Sequence, residues 1–247
     1  DTTAKKSIRT VDAHAKWVRK VAASPDGSLI ASVADDMVAK IWKASDGSLV
    51  HTLKGHAVET PTHYGSMLYT CTFSADGKFL ATADKLGHAI IWDVAIGKEV
   101  GSVDAPVMYT WDPTARRHSI GGIRSVVFSP DGKLIAVGGT GKIGNIDHLE
   151  AKARVEVFDW KAKKQVAEFV ADKSQGIVNV LKWAPDGSWL VGAGGAGDGF
   201  LLFFDVSGKK ILRQEKVNFH VHDIALGDKT ESILAVGHNK LQSFSLG

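Results

Sequence analysis

One turn sequence recurs along this chain of 247 residues, and its period constrains the fold more than any other feature. The best copy, Ser129-Pro130-Asp131-Gly132, separates two runs rich in β-branched and aromatic residues. Proline presets the φ angle of a type I turn and glycine tolerates a positive φ at its exit, so each copy predicts two strands joined by a tight turn. Further copies, the last of them degenerate, occupy residues 24–27, 74–77, 184–187 and 227–230. Repetition at this spacing is typical of small β units that bury their apolar faces on one another.

Composition narrows the class of protein. Apolar residues make up 44% of the chain, enough for a sizeable core. The 30 basic and 27 acidic residues are interspersed, so the net charge of +3 does not predict nucleic acid or an anionic membrane as a partner. No apolar run is long enough to span a membrane. The single cysteine, Cys71, excludes an intrachain disulfide, which fits the cytosol but also a periplasm reached through a cleaved leader.

The first unit, residues 14–56, carries the most specific pattern. It contains His14, Ser32 and Asp36, and Trp42 follows Asp36 by six residues. This set resembles a blade of the WD-repeat (WD40) family. The resemblance implies four strands and a buried hydrogen-bond chain through the tryptophan, serine, histidine and aspartate. A fully satisfied chain of this kind fixes one packing arrangement.

The later units depart from that pattern. The second keeps Trp92 and Asp93 but has Leu86 six residues before Trp92, while Asp84 lies nearer the end of the second strand, so the spacing does not predict the hydrogen-bond chain there. The third and fourth have Phe158 and Phe204 in place of the tryptophan and should be held mainly by packing. The resemblance covers almost the whole chain. The third unit is also similar to WD-repeat proteins of bacteria for which no activity can be carried over.

These units predict an all-β fold, a single β-propeller of four-stranded antiparallel blades over residues 1–247. We expect five blades, with six or seven as the alternative. The expected blades occupy about residues 14–56, 63–104, 119–171, 176–217 and 220–247. The last unit has only three strands, so residues 7–13 are expected to supply the fourth and close the ring by strand sharing.

The long connections all fall on one face of such a propeller, called here the long-loop face. They are residues 57–67, 104–122, 138–152 and 193–199. Repeat proteins carry insertions on their binding face. The candidate partner-binding residues within these insertions are Tyr64, Tyr109, Trp111, Asp112, Arg116, Arg117, His118 and His148. Those at the starts of the inner strands, expected to ring the channel mouth on the same face, are Trp17, Arg19, Tyr69 and Arg124, together with Asn179 and His222.

Cofactor motifs are weak. Residues 139–144 and 192–197 match G-x-G-x-x-G, but both lead into strands rather than a helix, so no nucleotide site is expected. His220 and His222 could place two rings on one side of a strand, but no cysteine or tight carboxylate cluster accompanies them. We therefore predict no metal and no cofactor.

The sequence favours a non-catalytic, monomeric interaction scaffold that binds a protein or peptide on the long-loop face. Tyr109 and Trp111 could instead cover the edge of the second blade, or stack on sugars in a lectin-like binder. A glycoside-acting enzyme is a further alternative, and its candidate carboxylates are Asp112, Asp147, Glu150 and Asp198. Such an enzyme needs two carboxylates held at a fixed separation.

Overall fold

The chain forms a five-bladed β-propeller. The computed structural model describes residues 3, 5–112, 118–144, 150–227 and 230–246. The strands of blades 1 and 2 are β1 (Val18–Ala23), β2 (Leu29–Ala34), β3 (Ala39–Lys43), β4 (Leu49–Leu53), β5 (Leu68–Phe73), β6 (Phe79–Asp84), β7 (His88–Asp93) and β8 (Lys98–Asp104). A hairpin of β9 (Tyr109–Asp112) and β10 (His118–Gly121) follows a short 3-10 turn, Pro106–Met108.

The remaining blades repeat the arrangement. Their strands are β11 (Ser125–Phe128), β12 (Leu134–Thr140), β13 (Lys152–Asp159), β14 (Lys164–Gln175), β15 (Ile177–Trp183), β16 (Leu190–Gly195), β17 (Gly199–Asp205), β18 (Lys210–Val217), β19 (Val221–Leu226), β20 (Ser232–Gly237) and β21 (Lys240–Ser245). Within each blade the strands are antiparallel and lie in chain order. No helix in the described ranges is long and apolar enough to cross a membrane.

The recurring turns are built by side chains within each turn. In the first, Ser24 Oγ donates to Asp26 Oδ1 at 2.6 Å and accepts the N–H of Leu29 at 2.9 Å. Gly27 follows with a φ of 72°, where a side chain would be strained. Hydrogen bonds from Ser24 and Ser28 hold the pKa of Asp26 at about 2. Such turns connect β1 to β2 and β11 to β12 and keep that face of the propeller short.

Consecutive blades pack face to face through apolar side chains. Ile41 of blade 1 and Leu80 of blade 2 belong to one buried cluster. Phe128 of blade 3 packs with the buried residues of blade 2, and Phe204 of blade 4 packs with those of blade 3. The fully buried side chains supply most of the driving force for holding the blades together.

The predicted hydrogen-bond chain is present in blade 1. Trp42 Nε1 donates to Ser32 Oγ at 2.9 Å, and the same hydroxyl lies 2.8 Å from His14 Nε2. His14 Nδ1 in turn lies 3.1 Å from a carboxylate oxygen of Asp36.

The same chain is present in blade 2, where the six-residue spacing did not predict it. Trp92 Nε1 donates to Thr82 Oγ1 at 2.8 Å, Thr82 Oγ1 lies 2.8 Å from His56 Nε2, and His56 Nδ1 lies 2.8 Å from Asp84. Asp84 stands at the end of β6 and also accepts the backbone N–H groups of Leu86 and His88. Compared with Asp36 in blade 1, the aspartate of blade 2 therefore stands two residues further from its tryptophan. Its carboxylate still contacts the histidine of the hydrogen-bond chain.

The predicted fourth strand of blade 5 is not found in the described residues. Blade 5 contains β19, β20 and β21, and residues 7–13 run along blade 1 without strand structure. Arg9 Nη1 donates to the carbonyl of Ser45 at 3.2 Å. Arg9 also crosses the turn at Gly47 so closely that a Cβ there would lie 2.8 Å from Arg9 Cδ. The N-terminal segment is thus held by the turn between β3 and β4 of the blade that follows it.

The first and last blades retain exposed apolar side chains. Val18 and Val21 of β1 are exposed, as are Leu234 and Val236 of β20. Strand β5 holds in blade 2 the place that β1 holds in blade 1, and β16 holds in blade 4 the place that β20 holds in blade 5. Both β5 and β16 are mostly buried. The junction between the first and last blades therefore buries less apolar surface than the junctions between consecutive blades.

Candidate partner-binding face

Three of the long connections meet on the long-loop face. Tyr64, from residues 57–67, lies with its ring centre 5.3 Å from that of Trp111 on the β9–β10 hairpin, at a tilt of 40°. From the same hairpin, Thr110 Oγ1 accepts the backbone N–H of Ile143 at 3.0 Å. These two contacts join the connections before blade 2, before blade 3 and within blade 3 into one surface.

The base of the hairpin is fixed to the propeller core. Met108, immediately before β9, is completely buried among side chains of blades 2 and 3. The N–H of Gly122 donates to the Met108 carbonyl at 2.6 Å. Gly121 has a φ of 104°, and a Cβ there would lie 2.0 Å from the Met108 oxygen. Glycine is therefore required where the hairpin returns to the blade.

The hairpin side chains are half-buried rather than fully covered. Tyr109, Trp111 and Asp112 each keep part of their surface exposed, and Tyr64 is exposed beside Trp111. His118 begins β10, where it pairs in register with Asp112. The predicted site residues Arg116, Arg117 and His148 lie outside the described residues.

The structure brings Trp17 and Arg19 together at the channel mouth of blade 1. The Trp17 side chain is 76% exposed, and the guanidinium carbon of Arg19 lies 5.4 Å from its ring centre. Arg19 also forms a bidentate ion pair with Asp35, in which Nε donates to Oδ1 at 2.8 Å and Nη2 donates to Oδ2 at 2.5 Å. This pairing raises the pKa of Arg19. Sequence reasoning missed Asp35, although its place beside Asp36 at the end of β2 could have indicated it.

Tyr69 and Arg124 continue the mouth into blades 2 and 3. The guanidinium carbon of Arg124 lies 3.7 Å from the centre of the Tyr69 ring, a close cation–π contact. The Tyr69 hydroxyl donates to Met67 Sδ at 3.3 Å, and Arg19 Nη2 lies 3.8 Å from the same sulfur. Burial raises the pKa of Tyr69 and lowers the pKa of Arg124. Four predicted residues from three blades therefore form one continuous group.

Lys85 joins this group and was not predicted. It lies in the turn between β6 and β7, is only 7% exposed, and its backbone N–H donates to the Met67 carbonyl at 2.9 Å. Burial lowers the pKa of its ammonium, and the charge of Arg124 lowers it further. A lysine in a turn is ordinarily solvated, so no local signal in the sequence indicates its burial.

Asn179 and His222 occupy a separate part of the mouth, between blades 4 and 5. Asn179 Nδ2 donates to His220 Nε2 at 2.6 Å and to the Val221 carbonyl at 2.8 Å. His220 Nδ1 donates to the Ala196 carbonyl at 3.0 Å. These bonds tie blade 5 to blade 4, and the His222 ring lies 5.1 Å from that of His220. Burial lowers the pKa of His220, and the neighbouring histidines lower it further.

The carboxylates considered for catalysis come from three insertions, with Asp147 and Glu150 both within residues 138–152. Asp198, between β16 and β17 of blade 4, pairs with Lys216 Nζ at 2.6 Å. Asp112 belongs to the β9–β10 hairpin, whereas Asp147 lies outside the described residues. Within the described ranges, no group of three or more histidine, cysteine, aspartate or glutamate residues is arranged to hold a metal ion.

Comparison with known proteins agrees with the propeller. The family model described as "WD domain, G-beta repeat" matches residues 5–43, 47–93, 111–143 and 163–205, more than half of the chain. The chain belongs to the WD40 family. This family assignment rests on matched segments that contain both tryptophan-based hydrogen-bond chains.

Several eukaryotic proteins are similar to this WD40 chain. A subunit of chromatin assembly factor 1 from Gallus gallus is 26% identical over 205 residues, which is 72% of this chain and 33% of that protein. A subunit of eukaryotic translation initiation factor 3 from Candida albicans is 27% identical over 227 residues, covering 89% of this chain and 56% of that protein. Apoptotic protease-activating factor 1 of Rattus norvegicus is 34% identical over 139 residues, covering 56% of this chain and 10% of that protein. The matched part is therefore about half, or less, of each relative, and none of these relatives supports the expected bacterial resemblance.

Proposed function

We propose that this WD40 propeller is a non-catalytic scaffold that binds a protein or peptide partner on its long-loop face. The observation that carries the proposal is the joining of three insertions by the Tyr64–Trp111 and Thr110–Ile143 contacts. The surface is held in place before a partner arrives, and preorganisation reduces the entropy lost on binding.

The residue types on this face suit protein recognition. The half-exposed Trp111 and Tyr64 lie on the insertions, and Trp17 and Arg19 lie exposed at the channel mouth of the same face. Aromatic and arginine side chains contribute most of the binding energy in protein interfaces. On the opposite face, turns such as the one at Asp26 direct their polar groups to hydrogen bonds within the turn.

The names of the relatives fit a scaffold. Two of them are subunits of multi-component factors, one for chromatin assembly and one for translation initiation. We infer a similar general role for this chain, as a propeller that makes protein contacts, without assigning it either process.

Capture of partners from the source cell by matched variants tests the proposal. The double substitution Tyr64→Ser and Trp111→Ser removes the aromatic contact of the long-loop face. The control, Ile96→Ser and Leu212→Ser, removes two side chains that are each 58% exposed, in the β7–β8 turn and on outer strand β18. A protein captured by the wild type and the control but lost from the first variant supports the proposal. Equal capture by both variants, or binding of glycans alone, would overturn it.

A further inference from the structure

We propose that Arg124 and Lys85 form an anion-binding site at the channel mouth, which holds a carboxylate or phosphate group of an acidic peptide. The inference rests on the proposed function and specifies the chemistry of the partner. The site lies where the starts of β5 and β11 meet the turn between β6 and β7, on the long-loop face.

Arg124 carries a half-buried positive charge that the described residues leave uncompensated. Its Nε is buried and makes no hydrogen bond to any described residue, and its guanidinium rests on the Tyr69 ring at 3.7 Å. No carboxylate in the described parts of the chain forms an ion pair with it. Charged side chains are rarely buried in proteins unless they are paired, because burial removes their hydration.

Lys85 is a second such cation in the same place. It is buried, and among residues 5–112, 118–144, 150–227 and 230–246 no carboxylate pairs with its ammonium. The backbone brings the two residues together, since the N–H of Ile123, next to Arg124, donates to the carbonyl of Asp84, next to Lys85, at 3.0 Å. The positive charge of Arg124 also lowers the pKa of Lys85. Two unpaired positive charges that repel one another are stabilised by an anion placed between them.

The neighbouring carboxylates are already engaged. Asp35 pairs with Arg19, and Asp84 pairs with His56 Nδ1 at 2.8 Å. Arg19 at the same mouth therefore has an acidic partner within the chain, whereas the described residues provide none for Arg124 and Lys85. A bound partner would supply the negative charge that Arg124 and Lys85 lack.

The donor set fits an oxyanion. The planar guanidinium of Arg124 offers donors in a fork that matches two oxygens of a carboxylate or phosphate, and the Lys85 ammonium adds a compact charge. Exposed Trp17 and the Arg19–Asp35 pair lie beside this position. An extended acidic peptide lying across the mouth could therefore insert one anionic side chain while its backbone follows the exposed rim.

Fluorescence anisotropy with three labelled peptides tests the site. The peptides share a Gly-Ser sequence and differ at three positions, which hold glutamate, phosphoserine or glutamine. We expect the glutamate or phosphoserine peptide to bind, the glutamine peptide not to bind, and the affinity to fall when salt is raised from about 50 to 200 mM. The tighter of the two acidic peptides identifies the anion as carboxylate or phosphate.

Matched variants locate the binding. Arg124→Met and Lys85→Met each remove one cation of the site, and each should weaken acidic-peptide binding at least about tenfold. Lys98→Met removes the same charge from an exposed position on outer strand β8 and should bind as the wild type does. Failure of both acidic peptides to bind the wild type, or unchanged binding by both site variants, would overturn the proposal.

The melting temperatures of the cation variants and their capture of the protein partner distinguish a folding defect from loss of the anion site. Removal of a half-buried, unpaired charge should leave the melting temperature of Arg124→Met unchanged or raise it. Lys85→Met decides the outcome if Arg124→Met does not fold. If the Tyr64→Ser and Trp111→Ser variant loses a captured protein while both cation variants keep it, the scaffold proposal stands and the anion site is rejected.

Discussion

The hydrogen-bond chain of blade 2 makes a quantitative prediction through Thr82→Val. Valine keeps the shape and β-branching of threonine but removes the hydroxyl that accepts from Trp92 Nε1 and contacts His56 Nε2, both at 2.8 Å. Thr82 is 0% exposed, and Trp92 and His56 are buried, so water does not replace the lost partner. Each buried polar group left without a partner costs about 1–3 kcal/mol. We therefore expect the free energy of unfolding to fall by roughly 2–6 kcal/mol, as two orphaned groups imply.

The equivalent substitution in blade 1 should cost less. Ser32→Ala removes the hydroxyl between Trp42 and His14, but Trp42 is only half-buried and lines an open cleft beneath the N-terminal segment. Water can reach this indole, so we expect a loss of about 1–2 kcal/mol.

Guanidinium denaturation followed by circular dichroism measures these values. Thr52→Val, on exposed outer strand β4, makes the same chemical change without loss of a buried hydrogen bond and should stay within about 0.5 kcal/mol of wild type. If Thr82→Val were as stable as Thr52→Val, the chain would not stabilise the blade and this reasoning would be refuted.

Three further predictions concern the hairpin, the blade 4–blade 5 junction and the cysteine. Gly121→Ala should lower stability by about 1–3 kcal/mol because it strains a positive φ and its Cβ meets the Met108 carbonyl; an unchanged melting temperature would contradict this. Since burial lowers the pKa of His220, the unfolded chain takes up its proton first as pH falls below about 6.5. Stability should therefore decrease from pH 7.5 to 5.5, and His220→Gln should reduce that slope in urea titrations; an identical slope would exclude this role. Burial raises the pKa of Cys71 to about 12, so a thiol reagent should modify the chain only after it unfolds, and rapid modification of the native protein would show otherwise.

The blade architecture could be predicted because its signals are local. The Ser129-Pro130-Asp131-Gly132 turn forms through contacts among neighbouring residues, so its copies locate the strand pairs without knowledge of the fold. Tyr69 and Arg124 stand at equivalent strand starts of successive blades, and the fold brings their side chains into contact.

The errors came from contacts that depend on distant parts of the chain. The six-residue spacing of Asp36 and Trp42 did not transfer to blade 2, where Asp84 reaches the same histidine position from the end of β6. The strand pattern of residues 7–13 did not reveal that Arg9 would bond to the Ser45 carbonyl of blade 1. A periodic pattern predicts that a segment can be a strand but does not choose its neighbour.

The unexpected burial of Lys85 has the same origin. Lys85 lies in the turn between β6 and β7, and the connection into β11 packs directly against it, since a Cβ on Gly122 would lie 2.6 Å from Lys85 Cα. Only the assembled propeller covers this lysine and places it beside Arg124. Lys85 is therefore a charged residue of the long-loop face that no sequence motif indicated.

Site-specific photocrosslinking tests the central claim, that a partner binds the long-loop face. A benzoyl-phenylalanine replaces Tyr64 on that face in one protein and Ile96, in the turn between β7 and β8 on the opposite face, in the other; both native side chains are exposed. Irradiation in the source cell should give a discrete crosslinked protein from position 64 and none from position 96. Crosslinks from position 96 alone would contradict the account.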